Sequence, residues 1–170
     1  MPISNFPRLR FTDVKEAEVL DRSAADFFVS AAPTNPVAAE GDPSALTPKV
    51  AMTGVKQLDI FVDVTVHPGG TPKLYVKVRF SGKESPSVAT PGDWGYIQVD
   101  DIDAATGISS VREYMVEIDL AKVNATSSAA ARRYLVRIDQ ISGAWASAVV
   151  WSDTAGVRGK VYFQRQGGGM

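Results

Sequence analysis

The stretch Gln57–His67, QLDIFVDVTVH, alternates without a break. Leu58, Ile60, Val62, Val64 and Val66 fall on one face; Asp59, Phe61, Asp63, Thr65 and His67 fall on the other. A period of two is the signature of a strand with one face buried. Pro68-Gly69-Gly70-Thr71-Pro72 follows as a turn, and Lys73–Phe80, KLYVKVRF, alternates again. Here Leu74, Val76, Val78 and Phe80 point inward, and Lys73, Tyr75, Lys77 and Arg79 point outward. Two such runs joined by a short Pro/Gly link predict a β-hairpin. Its outer faces would set acid beside base, with Asp59 and Asp63 pairing across to Lys77 or Arg79 for at most about 1 kcal/mol each.

The same pattern extends outward along the chain. Trp94–Val99 reads as a short strand after the loop Ser81–Asp93, and Asp100–Ser110 as a turn-rich link. Tyr114, Val116, Ile118 and Leu120 alternate with Glu113, Met115, Glu117 and Asp119. The stretch 121–131, AKVNATSSAAA, has helical composition, but its Asn, Thr and Ser residues limit it to a helical turn or a loop. Arg133–Ile141, Trp145–Trp151 and Gly159–Arg165 read as three further strands, with a turn at Ser142-Gly143. Two or three more are expected in the first 30 residues, among Arg8–Val14, Glu16–Leu20 and Asp26–Ser30. About eight to ten short antiparallel strands joined by turn clusters predict an all-β fold, a β-sandwich or jelly roll.

Ala31–Pro48 differs in composition. It carries Pro33, Pro36, Pro43 and Pro48 and a Gly41-Asp42 turn signal. Proline fixes φ and removes a donor, so the segment is expected to be an extended, irregular arm rather than a helix or central strand. The chain thus divides into residues 1–54 (N-terminal strands and arm, within the same domain), 55–165 (the sandwich core) and 166–170 (a flexible tail).

Composition bounds the function. The 170 residues fit one domain, able to bury about 70% of its unfolded surface. Eighteen basic residues face nineteen acidic ones, so no overall field draws the chain to nucleic acid or an anionic membrane. There is no cysteine, which removes disulfides, thiol nucleophiles and cysteine metal sites. No secretory signal or bilayer-length apolar run is read; the longest apolar run, Ala144–Trp151, is broken by Ser147. A soluble protein made in a cytoplasm is expected.

Candidate chemistry is sparse. His67 is the single histidine, at a strand end before Pro68, and has no nucleophile or orienting partner nearby in sequence. It reads as an exposed turn residue. Asp100, Asp101 and Asp103 form a carboxylate cluster without the glycine and distal glutamate of a calcium loop. Glu113, Glu117 and Asp119 read as the outward face of one strand, and Arg132-Arg133 is too small a basic pair for nucleic acid. No catalytic, metal or cofactor residues are assigned, and the chain is expected not to be an enzyme. Trp94, Tyr96, Trp145, Trp151 and Tyr162 read as core or interface residues, the alternative being a glycan-binding platform. Pro33, Pro36, Pro43, Pro48, Trp145 and Trp151 are the candidate partner contacts.

The units Val62–Val66, Gly70–Leu74, Phe80-Ser81, Arg133–Val136 and Gly143, within Val55–Phe163, resemble accessory virion proteins of tailed bacteriophages. The stretches 124–131 and the proline-rich residues before Val50 depart from that pattern. The resemblance implies a non-enzymatic capsid decoration (cement) protein, or a neck or tail component. It would bind the major capsid protein or other virion proteins, sit on the virion after assembly in the host cytoplasm, and form a homo-oligomer, expected as a trimer. A tail-associated glycan- or receptor-binding module is the alternative. The proline-rich arm would drape over a neighbouring subunit at little cost in ordering entropy.

Overall fold

The computed structural model describes residues 16–30, 37–102, 109–120, 132–139, 141 and 143–167. The chain is mostly β-structure, with twelve strands among the described residues. They are β1 (Ala17–Arg22), β2 (Phe28–Val29), β3 (Val50–Ala51), β4 (Val55–Val66), β5 (Lys73–Ser81), β6 (Gly95–Tyr96), β7 (Gln98–Ile102), β8 (Ser109–Glu113), β9 (Val116–Asp119), β10 (Arg132–Ile138), β11 (Trp145–Ser152) and β12 (Arg158–Gly167). One short helix, α1 (Val37–Gly41), precedes β3, and a 3-10 turn spans Pro91–Asp93.

The strands form a first sheet in the order β1-β12-β4-β10 and a second in the order β2-β11-β5-β6. β3 adds to β11, and β9 to β5. All pairings are antiparallel except that of β2 with β11, which is parallel. β7 and β8 pair as a separate ribbon.

The inward residues of both sheets share one core, as alternation requires. Leu58, Ile60, Val62 and Val64 of β4, with Val136, Val161 and Phe163, come from the first sheet. Leu74, Val76, Val78 and Phe80 of β5, with Ala146, Ala148 and Val150 of β11, come from the second. The result is sandwich-like. Gly159 stands at a register shift between β12 and β4, where an added Cβ would lie 2.0 Å from the carbonyl oxygen of Asp63. Only glycine allows that approach.

Several expectations are corrected. β4 and β5 do not form a hairpin: β4 lies in the first sheet and β5 in the second, so Pro68–Pro72 carries the chain across the core. The alternation is as read, but it fixes faces and not neighbours. Asp59 and Asp63 therefore pair with β10, through Arg137 at 2.9 Å and Arg133 at 2.6 Å, and not with Lys77 or Arg79. Trp94–Val99 holds two strands in different sheets, β6 and the start of β7, rather than one. The link from Asp100 to Ser110 begins and ends in the β7–β8 ribbon. Gly167 pairs with Val55 at the end of β12. Arg8–Val14, the stretch 121–131 and residues 168–170 lie outside the described residues.

The proline-rich segment departs most from its reading. Residues 37–41 form the helix α1, and the following chain lies along the free edge of β11 in the same molecule. The Val150 amide donates to Ala45 O (2.8 Å) and the Thr47 amide to Ala148 O (2.9 Å). The Ala148 amide donates to Thr47 Oγ1 (2.8 Å), and Ser147 Oγ to Thr47 O (2.8 Å). Ala39, Ala45 and Leu46 pack on Tyr75, Val149 and Trp151, so the segment covers the outer face of the second sheet. An open arm would leave those apolar groups in water, and burying them in cis removes that cost.

Candidate functional site

The second sheet is buried on both faces, and its outer layer holds most of the buried polar chemistry of the described residues. Alternation sends Tyr75, Lys77 and Arg79 of β5, and Ser147, Val149 and Trp151 of β11, away from the core. The 37–48 cover and the loop 82–96 close over them. Lys77 is 2% exposed, and Arg79 is fully buried.

Each cation is held by a different element of the cover. Lys77 Nζ donates to Glu40 of α1 at 2.6 Å and to Glu113 at the end of β8, and it lies 3.8 Å from the centre of the Tyr96 ring. Arg79 Nη2 donates to Val88 O at 2.7 Å and approaches Ser147 Oγ at 3.4 Å. Its guanidinium stacks 4.6 Å from the Trp94 ring, whose Nε1 donates to Ser87 O at 2.8 Å. Burial draws the Arg79 guanidinium below its ordinary value and pushes the Tyr96 phenol up to about 12. Among the described residues, the buried polar atoms without a hydrogen bond are Arg79 Nε and Nη1, Tyr96 Oη and Trp151 Nε1, and all belong to this layer. A buried cation that loses its partner costs several kcal/mol, so the cover and the two cations stabilise each other.

Two aspartates tie the cover itself. Asp42 accepts from the amide (2.8 Å) and hydroxyl (2.6 Å) of Ser44. Asp93 accepts from Lys83 Nζ (2.5 Å) and from the Ser87 amide (2.9 Å). The Ser44 bonds hold Asp42 below the usual carboxylate range, and the Lys83 bond, with that of the Ser87 amide, does the same for Asp93.

The candidate partner contacts separate. Pro43 and Pro48 are exposed on the outside of the cover. Trp145 is half-buried, with Lys49 Nζ 4.9 Å above its ring. Trp151 is fully buried and stacked on Tyr75 at 5.4 Å, so it has no surface to offer a partner. Pro33 and Pro36 lie outside the described residues. The five candidate platform aromatics form no shared open face either. Trp94 sits against Arg79, Tyr96 against Lys77, Trp145 under Lys49, and Tyr162 under Arg133 at 5.3 Å.

His67 is buried at 5% exposure rather than exposed, and its Nδ1 accepts the Gly69 amide at 3.2 Å, closing the turn. Asp100 and Asp101 stand in β7, opposite Val111 and Ser110, and Asp103 lies outside the described residues. Glu113 is bound to Lys77, and Glu117 to Lys73 at 2.6 Å. No cluster of three metal-ligating side chains occurs among the described residues, and no described helix is long and apolar enough to cross a membrane. An open groove of about 280 Å³ is lined by Ile97, Val99, Tyr114, Arg137, Ile138 and Asp139. Its arginine is already paired with Asp59.

The covered cations were not recognised from the sequence, although a signal was present. Ala144–Trp151 is apolar on both faces, the mark of a strand enclosed on both sides. Whatever encloses its outer face also encloses the outer face of β5, its neighbour in the sheet. Comparison with protein-family models, with curated proteins and with solved structures yields no match to this chain.

Two outcomes follow from this layer. Lys77→Met should lower the unfolding free energy by about 3 kcal/mol, because it strands Glu40 against a closed interior. Lys160→Met, on the open face of the first sheet, should leave the urea midpoint nearly unchanged. Equal midpoints for the two variants would contradict the buried clamp. Acid provides the second outcome. A carboxyl whose folded pKa lies below its free value of 3.8 stabilises the fold while ionised and loses that contribution as the pH falls through the folded value. The melting temperature should hold down to about pH 4 and fall below it. An Asp42→Asn/Asp93→Asn variant should fall less steeply over the same range. Parallel profiles for parent and variant would contradict this assignment.

Proposed function

We propose that the chain is a non-enzymatic structural protein of a tailed-bacteriophage virion, a capsid decoration protein that stabilises the shell through protein–protein contacts. The observation that carries this reading is the strand order. With β2 and β3 sharing one position and β6 and β9 another, eight positions in chain order make two four-stranded sheets. The first, second, third and fourth positions are β1, β2/β3, β4 and β5; the last four are β6/β9, β10, β11 and β12. Consecutive positions alternate between the sheets except β5 and β6/β9, which lie side by side, and the first and last positions, β1 and β12, are also neighbours. This supports a jelly roll of two Greek keys, an architecture used by capsid and lectin domains.

The side chains support the structural role over the lectin one. The aromatic rings that would stack on a sugar are each taken up by a cation or ring of the chain itself. The polar residues are spent on cross-ties between elements: Glu40 to β5, Arg79 to the loop at Val88, and Lys49 to Pro86 O at 2.9 Å. A rigid block with pinned loops suits a protein that works by contact area. On this reading exposed Pro43 and Pro48 face the major capsid protein or another virion protein.

The test is to mix the purified chain with undecorated shells of tailed phages and measure co-sedimentation and shell melting. Saturable binding with a raised melting temperature is expected, because a ligand that binds only the assembled shell stabilises it. Absence of binding to every shell tested would overturn the proposal and direct attention to glycan arrays.

A further inference from the structure

The outer face of the first sheet is the sheet face that the described chain leaves open, and its side chains are ordered in rows. One row crosses all four strands: Arg133 of β10, Asp63 of β4, Lys160 of β12 and Asp21 of β1. Its charges run plus, minus, plus, minus. The next row is Leu135, Phe61, Tyr162 and Glu18, on the same four strands. A third begins with Arg137, Asp59 and Gln164. An apolar and aromatic row is thus flanked on one side by the charged row and on the other by Arg137, whose partner Asp59 is buried beneath the surface. Leu135 is 49% exposed, and the Arg133 side chain, 45% exposed, spreads over the rings of Phe61 and Tyr162 at 5.2 and 5.3 Å. An apolar centre containing Tyr and Arg within a charged rim has the anatomy of a protein interface.

The order of the charges specifies the partner. We propose that this face joins two copies of the chain about a two-fold axis running along the strands between β4 and β12. Such an axis keeps each row over its own copy and reverses its order. An alternating row of four, reversed, sets every charge against its opposite: Arg133 over Asp21 of the second copy, and Asp63 over Lys160. In the apolar row Phe61 comes over Tyr162 of the second copy, with the Arg133 guanidinium of each copy, held by its own Asp63 and Glu16, lying between the rings as a cation–π layer. An isologous contact of this kind closes after two subunits, in place of the three-fold assembly expected from the sequence. The inference stands apart from the virion reading, since it uses only the face's own residues.

Sedimentation velocity over a micromolar concentration series should show the parent in monomer–dimer equilibrium, weakening with added salt. Asp63→Lys alone and Lys160→Glu alone each place two like-charge pairs across the axis and should weaken self-association about tenfold or more. Mixed together, the two variants make both pairs complementary again, and a heterodimer of parent-like affinity is expected. Misfolding cannot be rescued by mixing, so this arm separates contact from stability. Leu135→Glu, opposite Glu18 of the second copy, should also abolish the dimer, while its melting temperature matches the parent's at concentrations too low for the parent to dimerise. A parent that stays monomeric or forms trimers would overturn the proposal, as would a dimer indifferent to these variants or a mixture that fails to associate.

Discussion

Two cations buried on the far side of a sheet set the terms for the rest of this molecule. Lys77 and Arg79 alternate out of the core, as their positions in β5 dictate, yet neither reaches water. A buried ammonium and a buried guanidinium are tolerable only with charge, carbonyl and ring partners in place. Those partners come from three separate pieces of chain: α1 supplies Glu40, the loop before β6 supplies Val88 O and Trp94, and the β8 end supplies Glu113. The cover is therefore part of the fold. Once it is seated, Trp151, Tyr75 and Val149 are dry as well, and β11 gains hydrogen-bond partners on the edge that β5 leaves free.

How much of this was legible in the sequence follows from what periodicity encodes. The inward sets Leu58–Val64 and Leu74–Phe80 are as read, because a period of two assigns each side chain to a face regardless of its neighbours. Pairing between strands is a different quantity. Pro68–Pro72 has the composition of a hairpin turn, but the two strands it joins are both apolar inward and can face each other across a core as readily as lie side by side. The complementary charges expected to pair across that hairpin have other partners, Asp59 and Asp63 on β10 and Lys77 and Arg79 under the cover. The proline-rich segment misled for a related reason. Proline excludes regular interior structure, but it does not exclude one helical turn, or an edge contact made through Ala45 and Thr47. Proline and the Gly41-Asp42 pair mark a loop; only the apolar Ala39, Ala45 and Leu46 betray that this one is packed.

The functional reading rests on architecture and on where the polar groups are spent. The described residues present no cluster of three metal-ligating side chains, and the single histidine closes a turn. What they present is a sandwich with both faces ordered: one sealed by its own chain, the other laid out in rows of alternating charge about an aromatic line. The proposed role as a shell component uses those surfaces for contact. On the proposed reading the sealed face supplies rigidity, and exposed Pro43 and Pro48 and the outer face of the first sheet are the contact surfaces.

The central claim is that the 37–48 cover belongs to the cooperative unit of the fold, and amide hydrogen exchange tests it most directly. The amides of Thr47, Ala148 and Val150 bond between the cover and β11. Exchange at these three positions should require global unfolding, with the same free energy as the core amides of β4 and β5. Exchange that is orders of magnitude faster, while those core amides stay protected, would show a loosely laid segment and would contradict the account.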